Sequence, residues 1–104
     1  MPGFIGSGSA TVTTTGAVTS DTSVSLTFPN GVSVIPKRIR VSGSVSGPVK
    51  LQYGAGQQII VVVNPNAQEA IALIPKGTYK NPVATVSLLY QASGAGSIYI
   101  TIDY

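Results

Sequence analysis

The sequence predicts an all-β fold in one domain, a β-sandwich of about eight strands and of jelly-roll or immunoglobulin-like type. Short apolar segments alternate with clusters of Gly, Pro, Asn and Ser, as in strands joined by turns. Within these segments apolar and polar residues alternate, as from Ser23 to Phe28, so each strand has one buried face. No segment shows the apolar spacing of an amphipathic helix.

The strands are predicted, in chain order, at residues 10–18, 23–28, 39–45, 49–53, 59–63, 69–74, 83–90 and 97–104. Apolar positions are even as far as Val34 and odd from Ile39. This change of parity predicts a bulge, a bend or a strand end at residues 35–37. The aliphatic run at 59–63 does not alternate, which predicts cover on both faces, either within a central strand or from another subunit.

The side chains that build most active sites are scarce in this sequence. The chain of 104 residues has no histidine and no cysteine. Its three acids, Asp21, Glu69 and Asp103, are far apart in sequence, so no acid–base pair or group of metal ligands is evident. The Gly-rich stretches lack the motifs of phosphate-binding loops. We therefore expect no enzyme activity, no metal site and no cofactor.

Charge is also scarce, at 9% of residues against roughly 25% in an average soluble domain. Such a surface resists self-association poorly, so we expect a homo-oligomer. The net charge of +3 is spread over scattered cations, which argues against specific nucleic-acid binding. No apolar run is long enough for a membrane span, and the first residues do not have the pattern of a signal peptide.

Three cations and two tyrosines are candidate partner-binding residues. Arg38 and Arg40 fall on the polar side of their strand, and a hairpin after it would place Lys50 on the same face. That face would suit an acidic partner, or it would simply keep the sheet soluble. Tyr79 in a loop and Tyr99 on the outward side of the last strand are predicted to be exposed, as tyrosines at protein or sugar contacts are.

Residues 1–9 are predicted to form an N-terminal arm before a β-sandwich domain at residues 10–104. The arm is rich in Gly and Ser, and Phe4 and Ile5 are its large apolar side chains. We expect these two to anchor the arm in a groove on a neighbouring chain or partner. The alternative is an arm that folds along its own sheet.

Three segments resemble the small all-β structural proteins of tailed bacteriophages, especially capsid decoration (cement) proteins. They are residues 24–32 (VSLTFPNGV), 35–41 (IPKRIRV) and 96–102 (GSIYITI). The resemblance implies a jelly roll or related sandwich on the capsid exterior of a virion. It also implies a homo-oligomer, with a trimer favoured, that binds the major capsid protein or another virion protein and stabilises contacts between capsid subunits.

Two other classes of binding protein fit the same sequence. A receptor- or carbohydrate-binding module, such as a tail-fibre tip, is favoured if Tyr79 and Tyr99 lie side by side. A self-assembling fibre or surface-layer subunit is favoured if the pure chain polymerises.

Overall fold

The structure is a computed structural model that describes residues 8–45, 48–53, 59–63, 70–75 and 77–104. The only helical element in these ranges is a single 3-10 turn, Pro29–Gly31. The strands are β1 (Ser9–Thr15), β2 (Val18–Thr27), β3 (Arg38–Gly43), β4 (Val49–Tyr53), β5 (Ile59–Val63), β6 (Ala70–Leu73), β7 (Thr85–Ala92) and β8 (Ser97–Asp103). The prediction of an all-β fold is confirmed.

The strands form two four-stranded sheets in which all neighbours are antiparallel. Sheet A has the strand order β1-β8-β3-β6 and sheet B the order β2-β7-β4-β5. Among the described strands, only β4 and β5 are both consecutive in the chain and paired. Every other connection between successive strands crosses from one sheet to the other.

Buried side chains from both sheets belong to one hydrophobic cluster. Ile98, Ile100 and Ile102 of β8 are fully buried, and they share one hydrophobic cluster with Val86 and Leu88 of β7. Each buried methylene stabilises the fold by about 0.8 kcal/mol, so this cluster is a main source of stability. In β7 and β8 inward and outward residues alternate, so each strand has one side that faces away from the core.

The predicted strand at residues 10–18 is two strands in the structure. β1 ends at Thr15 in sheet A and β2 begins at Val18 in sheet B. Ala17, between them, has a φ of 58°, in the left-handed region that breaks a strand. The apolar parity does not change here, because Val12 and Val18 both face inward from even positions, so the alternation gave no sign of the break.

The change of parity at residues 35–37 falls between β2 and β3, so a break between strands is the one of the three predicted alternatives that the structure shows. Here the chain passes from sheet B to sheet A. Val34 pairs with Val83 in an isolated bridge on the way, through hydrogen bonds of 2.8 and 2.9 Å. The corner is therefore held by the backbone as well as by buried side chains.

The predicted hairpin between β3 and β4 is wrong. β3 pairs with β6 and β8, whereas β4 pairs with β5 and β7. Val45 and Val49 are both fully buried, although the strands next to them lie in different sheets. The alternative of a central strand at residues 59–63 is also wrong, because β5 is the last strand of sheet B.

Candidate functional site

The outer face of sheet A brings together three of the predicted contact residues with two that the sequence analysis missed. We define this face by the outward residues Ser9, Thr11, Thr13, Thr15, Arg38, Arg40, Ser42, Ile71, Leu73, Ser97, Tyr99, Thr101 and Asp103. Strand alternation identifies these residues as outward, because the residues between them on β3 and β8 are buried. The face is rich in hydroxyls, with aliphatic residues at one edge.

Two arginines share one carboxylate near one end of this face. The side chain of Arg40 donates to Asp103 from Nε to Oδ2 over 2.9 Å and from Nη2 to Oδ1 over 3.0 Å. The Arg38 Nε also donates to Oδ2 of Asp103. Forked arginine–carboxylate contacts fix both partners in orientation. The guanidinium groups are thus held in place by Asp103.

This arrangement changes the acidity of Asp103. Burial raises the pKa of its carboxyl, but the hydrogen bonds and charges of Arg38 and Arg40 outweigh burial and hold that pKa below its usual value. Asp103 is therefore ionised at neutral pH. The side chain of Arg38 is 47% exposed, so part of its guanidinium faces solvent.

Tyr99 points outward from β8 and is exposed, as predicted. Its neighbours across the strands are Thr13 on β1 and Ser42 on β3. The residue is 43% exposed, so its ring can stack on or pack against a ligand. One step along the strands, the hydroxyls of Thr11 and Thr101 are 2.8 Å apart and bond to each other.

Ile71 and Leu73 on β6 form an aliphatic edge that the sequence analysis did not identify. They are 57% and 76% exposed, and they lie opposite Arg40 and Arg38 respectively in the β3–β6 register. The sequence AIAL of this strand carries a signal, since small residues alternate with large ones. The alternation shows two faces but not which face is exposed.

An open cleft of about 500 Å³ lies at the end of this face. Its lining includes Lys37, Arg38, Leu73, Asp103 and Tyr104. Gly8 and Tyr104 also line it, and their backbones are joined by two hydrogen bonds of 3.0 and 2.9 Å. The cleft therefore combines cationic groups with an aliphatic wall.

Lys50 does not lie with the two arginines. It is on β4 in sheet B, where its register neighbours are Gln91 and Val62. The shared cationic face depended on the β3–β4 hairpin, which the structure does not have. Lys50 points outward from the opposite side of the molecule.

Tyr79 is half-buried and packs against the core rather than standing free in its loop. Burial raises its pKa, and the nearby Tyr53 raises it further. Because Tyr99 faces away from the core and Tyr79 packs onto it, the two tyrosines do not form one aromatic platform. The Tyr53 hydroxyl is buried and has no hydrogen-bond partner among the described residues.

Phe4 and Ile5 lie outside the described residues, as does Glu69. The described part of the predicted arm is short: Gly8 bonds to Tyr104, and Ser9 already begins β1. Of the two described acids, Asp103 is on sheet A, while Asp21 on sheet B accepts a 2.7 Å bond from the Gln91 side chain. The described residues contain no group of three or more His, Cys, Asp or Glu that could hold a metal.

Within the described ranges, no helix is long and apolar enough to cross a membrane. No protein-family model matches the sequence. No curated protein matches it either.

Two solved structures show partial similarity at low identity. A mutant of CBM29-2, a family 29 carbohydrate-binding module, has a TM-score of 0.42 and 17% identity over 79% of this chain and 61% of that chain. PirA has a TM-score of 0.39 and 14% identity over 92% of each chain. The chain spans about three fifths of the length of the CBM29-2 chain. At these TM-scores neither similarity bears on function.

Proposed function

We propose that this chain is a structural contact protein of a virion, a decoration protein on the capsid exterior. In this role it binds the major capsid protein or another virion protein and stabilises contacts between capsid subunits. The proposal rests on the resemblance of residues 24–32, 35–41 and 96–102 to such proteins and on the character of the outer face of sheet A. The function is contact, without catalysis or a cofactor.

A jelly-roll sandwich is part of this proposal, and the strand order supports it. The pairs β1–β8, β2–β7, β3–β6 and β4–β5 are nested, as if one long hairpin had been folded at β4–β5. The pairs β3–β8 and β4–β7 then join the arms of that hairpin into two sheets. Viral capsid and lectin domains are among the proteins that use jelly rolls.

The observation that carries the proposal is the composition of the outer face of sheet A. Tyr99 and Arg38 are residue types that protein interfaces favour. The exposed pair Ile71 and Leu73 adds apolar area that a partner would bury. Arg40 and Asp103 hold each other, so this part of the face loses little freedom on binding.

A homo-oligomer, with a trimer favoured, belongs to the same proposal. Several identical contacts on a symmetric particle add up, so modest affinity at each copy still gives firm attachment. Sedimentation equilibrium of the pure chain measures the number of subunits directly.

The test of this function is attachment to particles purified from the protein's own source and stripped of it. We expect the wild-type chain to co-sediment with the particles and Tyr99→Ala to bind at least about tenfold more weakly. Leu89→Ala is the matched control, since Leu89 is 38% exposed on the outer face of sheet B. Equal attachment of both variants, or no attachment of the wild type, would contradict the proposal.

Carbohydrate binding is the second candidate, favoured by the exposed ring of Tyr99 beside hydroxyl groups and a fixed Arg40–Asp103 pair. Sugars bind to such rings by stacking and to such polar pairs by hydrogen bonds. A glycan array with wild type and Tyr99→Ala separates the two functions. Binding of a defined glycan that is lost in Tyr99→Ala, with no attachment to particles, would favour the carbohydrate-binding module.

A further inference from the structure

β6 ends sheet A, and half of its backbone groups face away from the sheet. Among the described strands its one neighbour is β3. The Ile74 N–H donates to the Lys37 carbonyl oxygen over 2.9 Å. In an antiparallel ladder, successive residues direct their backbone groups alternately toward and away from the neighbouring strand. This bond therefore places the N–H and C=O of Ala72 toward β3 and those of Ile71 and Leu73 on the open side.

The side chains of β6 do not protect that open edge. Natural edge strands are commonly blocked by a lysine, a proline or a bulge, because an open edge invites another strand. β6 is Ala-Ile-Ala-Leu and has none of these. Its two exposed aliphatic side chains belong to the same residues whose backbone groups are open. The edge therefore offers hydrogen bonds and apolar contact together.

The charge around the edge selects between possible occupants. Within the described residues, β3 and the residue just before it carry three cationic side chains, Lys37, Arg38 and Arg40. The acidic side chain beside them is Asp103, which pairs with both arginines. A second copy of this chain would bring the same excess of positive charge, whereas an acidic segment would neutralise it. The cleft beside Leu73 is lined by Lys37 and Arg38 together with Asp103, so its cationic side chains outnumber its acidic side chain.

We infer that the free edge of β6 binds an extended, acidic segment of a partner protein as an added antiparallel strand. Apolar residues of that segment lie against Ile71 and Leu73, and an acidic residue two positions beyond them reaches the cleft. Added strands obtain affinity from main-chain hydrogen bonds and specificity from alternate side chains. The inference rests on the proposed function, since it names the partner's chemistry at the same face.

The probe is a capped peptide, Glu-Thr-Leu-Thr-Leu-Thr-Glu. Its sequence reads the same from both ends, so it presents the same side chains to β6 whichever way the chain runs. We expect it to bind and to shift the amide signals of Ile71 and Leu73 in two-dimensional NMR spectra. A peptide with lysine in place of both glutamates should bind at least about tenfold more weakly. Equal binding of the two peptides would refute the acidic occupant, and no binding at millimolar concentration would refute the added strand.

Methylation of the peptide backbone tests strand addition without altering the protein. The two leucines lie opposite Ile71 and Leu73, so their N–H groups are the ones that bond to β6. N-methylation of both leucines should weaken binding at least about tenfold, while N-methylation of the two outer threonines leaves it within about twofold. The reverse order would overturn the proposed register.

A matched pair of proline variants tests the edge itself. Leu73→Pro removes an N–H that faces the open side of β6, and Thr13→Pro removes one that faces the open side of β1, at the other edge of the same sheet. Binding should fall in Leu73→Pro alone. If Leu73→Pro loses its folded NMR spectrum, Leu73→Asp, which removes the apolar contact and adds repulsion, serves in its place. Unchanged peptide binding in the folded variant would overturn the inference.

The outcomes also separate this inference from the proposed function. If the wild type attaches to particles but ignores the peptides, the added strand is wrong and the contact function stands. If the peptides bind as expected and particle attachment is absent, the virion role is wrong and the edge site stands. Dimerisation of the pure chain that Leu73→Pro abolishes would assign the edge to a second copy and refute the acidic occupant.

Discussion

The hydroxyl of Tyr90 donates to the backbone carbonyl oxygen of Thr15 over 3.0 Å. It is also 2.6 Å from the hydroxyl of Thr14. Tyr90 belongs to β7 in sheet B and both threonines to β1 in sheet A, so this bond joins the two sheets. The Thr15 carbonyl faces the open edge of β1, where no described strand meets it.

Removal of this hydroxyl should loosen the attachment of β1. We expect Tyr90→Phe to lower the free energy of unfolding by about 1–3 kcal/mol, because it leaves partly buried acceptors without a partner. Urea denaturation measures the change. Tyr99→Phe is the control, since that ring is exposed, and its effect should stay within about 0.5 kcal/mol. Equal effects of the two variants would show that the inter-sheet bond contributes nothing.

The Asp103 cluster should make stability depend on pH. The folded-state pKa of Asp103 is depressed, so its stabilising effect is complete above the unfolded value of about 3.9. The effect is lost as pH falls through the lower folded-state pKa. Asp103→Asn should therefore be less stable than wild type at pH 7, and the difference should disappear in acid. Denaturation from pH 7 to pH 2 tests this; a difference that grows in acid would contradict the assigned shift.

Gly43 should be difficult to replace. Its φ is 149°, and a Cβ atom there would lie 2.1 Å from the Ser97 carbonyl oxygen. Gly43→Ala should cost about 2–4 kcal/mol of stability, from backbone strain and the clash with β8. Gly31→Ala is the control, because Gly31 also has a positive φ, of 67°, but has nothing within 4 Å of that position. Thermal unfolding should show a cost of only about 1 kcal/mol there, and equal losses would remove the packing argument.

The alternation of the sequence predicted the all-β fold and the outward positions of Arg38, Arg40 and Tyr99. It could not predict which strands are neighbours, because parity tells which face is buried and not which sheet a strand joins. This is why Lys50 was placed with the arginines. At Gly16–Ala17 the chain changes sheets without a change of parity, so one predicted strand is two.

The site was predictable in part for the same reason. Tyr79 packs on the core, whereas Tyr99 is exposed. This difference depends on tertiary contacts that the local sequence does not encode. The pairing of Arg38 and Arg40 with Asp103 joins residues more than 60 positions apart in the sequence. Exposure of Ile71 and Leu73 depends on which face of β6 is turned away from the core, which the alternation of the sequence does not show.

The orientation of the protein on its particle tests the central claim most directly. Cryo-electron microscopy of stripped particles decorated with the purified chain would show which sheet faces the particle. We predict that the outer face of sheet A does so, with Tyr99, Arg38 and the β6 edge in contact and the outer face of sheet B, including Lys50 and Leu89, toward solvent. Contact through sheet B, with the outer face of sheet A exposed, would contradict the account.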